Sequence, residues 1–144
     1  MVEFAIGFSL LLTVFAGVYK FGYTFYVYNA LETATRDGAR YASMADYDGG
    51  AWNGNAFKTR TKNMVVYGMP VITVPITAKP VVPGLTAGKI TVSPRVDAAG
   101  VPNRVTVRVD DFTIPDGLGN IFAAFTLKGK PAATFEYMGR FTVP

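Results

Sequence analysis

Neither cysteine nor histidine occurs in the 144 residues. Without thiols, no disulfide can staple the fold and no thiolate can act as nucleophile or metal ligand. Without imidazole, the common zinc sites, the Ser-His and Cys-His pairs and histidine acid/base chemistry are excluded as well. Charge is scarce at the start of the chain: Glu3 is followed by none until Lys20, and Lys20 by none until Glu32. Proline is missing from the first 69 residues, and all nine prolines lie from Pro70 onward. A basic run is missing too. The formal net charge is +4 and the pI near 9.4, but Lys and Arg are scattered among acids and build no surface for tracking phosphates, so no nucleic-acid partner is expected.

What is present is a long apolar run, AIGFSLLLTVFAGVYKFGYTFYVYNAL, behind Met1-Val2-Glu3-Phe4. With neither proline nor a turn cluster to interrupt it, it predicts one helix over residues 1–46. At 1.5 Å per residue this helix is on the order of 70 Å long, roughly twice what a bilayer core needs. Its first half suits lipid or a protein interior, and its second half suits water. Composition then shifts towards β structure, which divides the chain into the helix (1–46), a loop with a short helix (47–69) and an antiparallel β head (70–144). The expected fold class is α+β, a long N-terminal hydrophobic helix packed on a small C-terminal antiparallel sheet.

The helix surface carries its own signals. Ala5, Ser9, Thr13 and Gly17 form a small-xxx-small stripe that lets backbones approach closely in lipid, and Ala30, Ala34, Gly38 and Ala42 repeat it further along. Two such stripes on one helix favour lateral packing. Between them Phe15, Tyr19, Phe21, Tyr23, Phe25, Tyr26 and Tyr28 with Lys20 read as an interfacial belt with a snorkelling lysine, in preference to an electron-conducting stack. Glu3 is costly at a hydrocarbon edge unless partnered. Before assembly it is expected to sit in the headgroup region against the helix's positive end, and after assembly to meet the α-amino group of a neighbouring Met1, with Lys20 of another neighbour as second partner. No Lys or Arg precedes the apolar run, so a short cationic leader removed from a precursor is expected.

From Leu31 the helix turns amphipathic. Glu32 and Arg36 stand at i,i+4 in the favourable order, and Gly38 in mid-helix implies close packing that offsets its low propensity. Residues 46–56, DYDGGAWNGNA, read as a loop with Trp52 docked on the core. Phe57, Thr61, Met64 and Val65 at helical spacing ahead of Gly68 predict a second helix with a glycine C-cap. Beyond Pro70 the period becomes two. Val71, Thr73 and Pro75 alternate with Ile72, Val74 and Ile76, which predicts a strand with Pro75 and Pro80 at an edge. Ile90 and Val92 alternate with Thr91 and Ser93. In NRVTVRVDDF, Val105, Val107 and Val109 are expected to face the helix, with Arg104, Thr106 and Arg108 towards water. RVDAAGVPN supplies a hairpin turn, AATFEYMGRF a last strand, and LGNIFAAF a helical turn or apolar loop.

Candidate chemistry is thin. Asp46 with Asp48, and Asp110 with Asp111, lack the spaced carboxylates and closing glutamate of a calcium loop. Gly117 and Gly119 lack the lysine and strand-to-helix context of a phosphate loop. No catalytic constellation, metal site or cofactor is expected, and the chain is not expected to be an enzyme.

VEFAIGFSLLL (2–12), KFGYTFYVYNALETATRDGARYA (20–42) and VTVRVDDFTIP (105–115) resemble the TadE-like family of pilin-related proteins. The Val-Glu-Phe start, the Phe21-Gly22 step and Arg36 to Tyr41 carry the resemblance. It implies a type IV pilin-like subunit: a precursor cut by a prepilin peptidase, held in the inner membrane, then inserted by the assembly machinery into a helical homopolymer outside the cell. This chain departs in placing its acid third, where classical pilins place it fifth. The other readings are a minor pseudopilin of a Tad-type assembly platform and a bitopic, membrane-anchored periplasmic protein that does not polymerise.

Overall fold

The structure, a computed structural model, describes residues 2–45, 47–48, 54–98, 102–114, 124–139 and 141–142. Met1, Asp46, Trp52, Gly117, Gly119 and most of LGNIFAAF (118–123) lie outside them, so the readings placed there are not taken further. The elements run α1 (Val2–Met44), β1 (Tyr47–Asp48), α2 (Asn55–Tyr67), a 3-10 turn (Ala87–Lys89), β2 (Ile90–Val96), β3 (Pro102–Val109), β4 (Phe112–Ile114), β5 (Phe125–Leu127), β6 (Ala132–Glu136) and β7 (Phe141–Thr142).

At 43 residues, α1 is about 65 Å long, and its two halves have different surroundings. Val27, Leu31, Ala34, Thr35, Gly38, Ala39, Ala42 and Ser43 are buried, a stripe spaced by threes and fours that faces α2, β3 and β6. On the opposite side Arg36 donates to Glu32 at 2.6 Å, an exposed i,i+4 pair worth a few tenths of a kcal/mol. The three-stranded antiparallel sheet has the order β2-β3-β6. Its register sets Val107 beside Val92 and Ala133, Val109 beside Ile90, and Val105 beside Phe135. The three valines of β3 are fully buried, Arg104 and Arg108 are exposed, and Thr106 is half-buried. Thr106 shares a 2.9 Å hydroxyl contact with Thr134 on the outer face. Strict alternation across a sheet with one wet face produces this division. Two small pairs complete the head: antiparallel β4-β5, whose Phe112, Ile114 and Leu127 are buried, and parallel β1-β7.

The strand expected at Val71–Ile76 is not formed. Residues 69–86 make turns and bends, so within 70–144 β structure starts at Ile90, while the two-residue β1 (Tyr47–Asp48) forms inside the segment expected to be a loop. Pro70, Pro75, Pro80 and Pro83 remove the donors a ladder needs. The carbonyls of Val71 and Ile72 accept instead from the Asn63 side-chain amide at 2.7 and 3.4 Å. The turn that precedes this segment follows from one residue. Gly68 takes φ 70°, and its N–H returns to the Met64 carbonyl, closing α2 with a left-handed cap.

α2 carries one flaw. Thr61 is fully buried, yet its hydroxyl has no hydrogen-bond partner. An unsatisfied buried polar group costs about 1–3 kcal/mol, whereas a methyl of similar size at that place costs nothing in desolvation. Thr61→Val is therefore expected to stabilise the head by about 1 kcal/mol, read as a higher melting temperature. A lower one would mean that the hydroxyl is satisfied.

Candidate assembly surface

Over residues 2–15, α1 is covered by none of the other described residues. Every residue from Val2 to Phe15 is exposed, including Phe4 at 78% and Leu10 at 68%. The most apolar 18-residue window has a mean hydropathy of 1.9 and none of it is buried, so by length and composition α1 can cross a bilayer. Its local structure suits an apolar medium. Ser9 donates to the Ala5 carbonyl at 2.8 Å and Thr13 to the Ser9 carbonyl at 2.9 Å, so neither hydroxyl is left unsatisfied where water is excluded. Phe4 stacks on Phe8 and Tyr19 on Tyr23, with centroids 6.1 and 6.2 Å apart.

The two small-residue stripes have different surroundings. Ala5, Ser9 and Thr13 are exposed and Gly17 is half-buried. A Cβ added at Gly7, Gly17 or Gly22 would meet nothing within 4 Å. Ala34, Gly38 and Ala42 are buried under the chain's own head, and Ala30 is half-buried beside them. A Cβ on Gly38 would overlap Cγ2 of Val65 and lie 3.6 Å from the Thr61 carbonyl. The second stripe is thus occupied within the subunit, and only the first is open to another helix.

Glu3 is exposed in the first turn of α1, and Lys20 is half-buried. Seventeen residues apart on one straight helix, they are separated by about 25 Å, so any pairing between them has to join two chains. Met1, the other expected partner, lies outside the described residues.

Two features had no sequence signal. One is a groove of about 330 Å³ between α1 and the end of α2, lined by Tyr26, Asn29, Thr33, Asp37, Met64 and Val81. The other closes the far end of α1. The Ser43 carbonyl accepts from the N–H groups of Met138 and Gly139 at 2.9 and 3.1 Å, and the Tyr137 hydroxyl donates to the Ala45 carbonyl at 2.8 Å. These bonds satisfy helix-end carbonyls that would otherwise be orphaned, but the partners lie some 90 residues apart and no local pattern announces them.

Of the paired acids, Asp110 is engaged within the head. A hydrogen bond from Thr91, then the hydrogen bond and charge of Arg108, hold its carboxyl below the usual range against the opposing effect of burial. Arg108 Nε donates to Asp110 Oδ2 at 3.0 Å. Asp111 sits at φ 51°. Among the described residues no group of three His, Cys, Asp or Glu side chains gathers to hold a metal.

Residues 1–40 match the family model of TadE-like protein. The match spans the exposed first part of α1 and most of the stripe that receives the head, and leaves residues 41–144 unmatched. No curated protein and no solved structure matches this chain.

Proposed function

We propose that this TadE-like chain is a structural subunit of a type IV pilus-like filament, held in the inner membrane by the first half of α1 and assembled outside the cell through a bundle of those halves. The observation that carries this reading is the division of α1. One continuous helix buries a stripe under its own head over residues 27–43, whereas residues 2–15 offer an apolar, small-striped surface that none of the other described residues covers. A helix built only to tether a head needs the apolar length but not a stripe for close backbone approach. In the bundle, Phe4, Ile6, Leu10, Leu11, Val14 and Phe15 would each contribute at most about 1.5–3 kcal/mol, an upper bound because lipid already shields them from water.

Glu3 sets axial register in this reading by meeting the α-amino group of a neighbouring subunit. Removing one member of a desolvated charge pair costs about 2–5 kcal/mol. Glu3→Ala should accordingly leave the monomer folded and membrane-resident while filament yield, measured by shearing and sedimentation, falls by about tenfold or more. Parent-like polymerisation of the variant would remove the register role. A parent chain that stays monomeric in membranes under conditions that produce pili would favour the bitopic anchor instead. Incorporation only at trace level beside another subunit would favour the minor pseudopilin of an assembly platform.

A further inference from the structure

We propose that the proline-rich loop of residues 69–83 is a second membrane contact, an apolar finger flanked by cations that seats in the headgroup region of an anionic bilayer beside the span. This rests on the membrane-resident stage of the function proposed above.

The loop is apolar and uncovered. Ile76 is fully exposed at 105%, Ile72 is 52% exposed and Val81 51%, although Val82 and Leu85 just beyond are buried and fix the loop's return to the core. Its backbone suits a poorly hydrated layer. Pro70, Pro75, Pro80 and Pro83 carry no N–H. The Val71 and Ile72 carbonyls accept from Asn63, Ala78 N–H donates to the Pro75 carbonyl at 2.9 Å, and Val81 N–H to the Val66 carbonyl at 2.8 Å.

Placement follows from the packing of α2. Thr61 and Val65 lie against Gly38, and Met64 and Gly68 border the groove that contains Tyr26, Asn29 and Thr33. α2 therefore runs back along α1 towards the span, and the loop leaves from its span-facing end, level with the tyrosines that mark the interface. The opposite end of the head is fixed just as firmly. Tyr137 to Gly139 bind the end of α1 at Ser43 and Ala45, and Tyr137 N–H donates to the Asn103 carbonyl. Ala98, just past the end of β2, thus lies towards the end of the head away from the span.

Charge selects the surface. Between Asp48 and Asp97 there is no acidic residue, while Lys58, Arg60, Lys62, Lys79, Lys89 and Arg95 all fall there. The rest of the chain holds eight cations against ten acids, so the whole positive excess belongs to α2, the loop, the 3-10 turn and β2. Lys79 in the loop, Lys89 in the 3-10 turn and Lys62 in the second half of α2 lie nearest the loop, whereas Lys58 and Arg60 near the start of α2 and Arg95 near the Ala98 end of β2 lie towards the other end of the head. A cation near an anionic leaflet gains about 1 kcal/mol, and exposed Ile and Val add the apolar part of interfacial binding. A second copy is the other occupant to weigh, but Val81 of the loop shares a groove with exposed Tyr26 of the aromatic belt, and the nearest charged side chains in sequence are cations, which favours lipid.

Because the chain lacks cysteine, one introduced thiol labels one site. Full-length Thr77→Cys, Leu10→Cys and Ala98→Cys variants, each carrying an environment-sensitive fluorophore, are reconstituted in phosphatidylcholine vesicles with or without phosphatidylglycerol and with a quencher on the lipid headgroup or deep in the acyl chain. The expected result is headgroup-level quenching at position 77 that exceeds position 98 by about threefold or more, rises with phosphatidylglycerol and falls with salt. Adding Ile76→Asp to Thr77→Cys should abolish that excess. Deep quenching at position 10 with position 77 as wet as position 98 would overturn the loop contact and leave the span intact. Position 10 unquenched by the deep probe would overturn the membrane reading and the loop with it. Protection of position 77 only on polymerisation would assign the loop to a second copy and overturn the lipid contact.

Discussion

Gly38→Ala is expected to destabilise the head by about 2 kcal/mol, lowering its melting temperature by roughly 5–10 °C. The sign is the reverse of the usual one. Alanine in place of glycine at a mid-helix position normally gains up to about 1 kcal/mol, because it restricts the unfolded chain and is the best helix former. At Gly38 the added Cβ would overlap Cγ2 of Val65, a fully buried side chain whose branching leaves it few rotamers in α2. Either α2 moves outward, opening the contact along its length, or Val65 leaves its rotamer; both exceed the propensity gain. Gly22→Ala is the control within the same helix. A Cβ there meets nothing within 4 Å, so it should be neutral or mildly stabilising. Val65→Ala added to Gly38→Ala should recover part of the loss, since it removes the colliding methyl. A Gly38→Ala protein as stable as the parent would mean that α2 does not dock on this turn.

Removing residues 1–20 is expected to yield a soluble monomer whose melting temperature falls by no more than a few degrees, the share of Lys20 and its half-buried neighbours. No residue from Val2 to Phe15 is even half-buried, Ala16, Gly17 and Lys20 are half-buried but outside the apolar core, and Tyr23 and Val27 are the first to join that core. The apolar area that drives insertion or bundling is therefore separable from the area that folds the head. Size-exclusion chromatography with light scattering, followed by thermal melting of residues 21–144, measures both quantities. Aggregation or loss of cooperative melting would show that the N-terminal half helps hold the head together. A truncated chain that still pelleted with membranes would point to another anchor, and the loop of residues 69–83 is where that search would begin.

Much of this division was legible beforehand because its causes are local. The absence of proline and the scarcity of charge before Glu32 fall within one helix. The Glu32–Arg36 pair is a matter of helical spacing. The burial of Val105, Val107 and Val109 follows from strict alternation. Gly68 caps α2 because glycine accepts the positive φ that ends a helix. The same kind of reading failed at Val71–Ile76. Alternation of apolar and polar residues describes a face, but a strand also needs donors and a neighbour, and four prolines within Pro70–Pro83 remove the former.

By itself the sequence determined that α1 is one long helix, that its first half is apolar and its second amphipathic, and which face of β3 is dry. Each of these depends on residues within a few positions of one another. The sequence already offered the alanine-rich side of the second half to the head; only the tertiary structure decided that α2 is what covers Gly38, because that depends on where α2 comes to rest. The second stripe disappears under Val65 and its neighbours, and the first stays open. The same holds for the closure of α1 by Met138 and Gly139, for the groove beside Asp37 and for the side of the head from which the apolar loop leaves. Local propensity states what each segment presents, whereas the packing of segments distant in sequence decides what is covered and what is left to face a membrane or another chain.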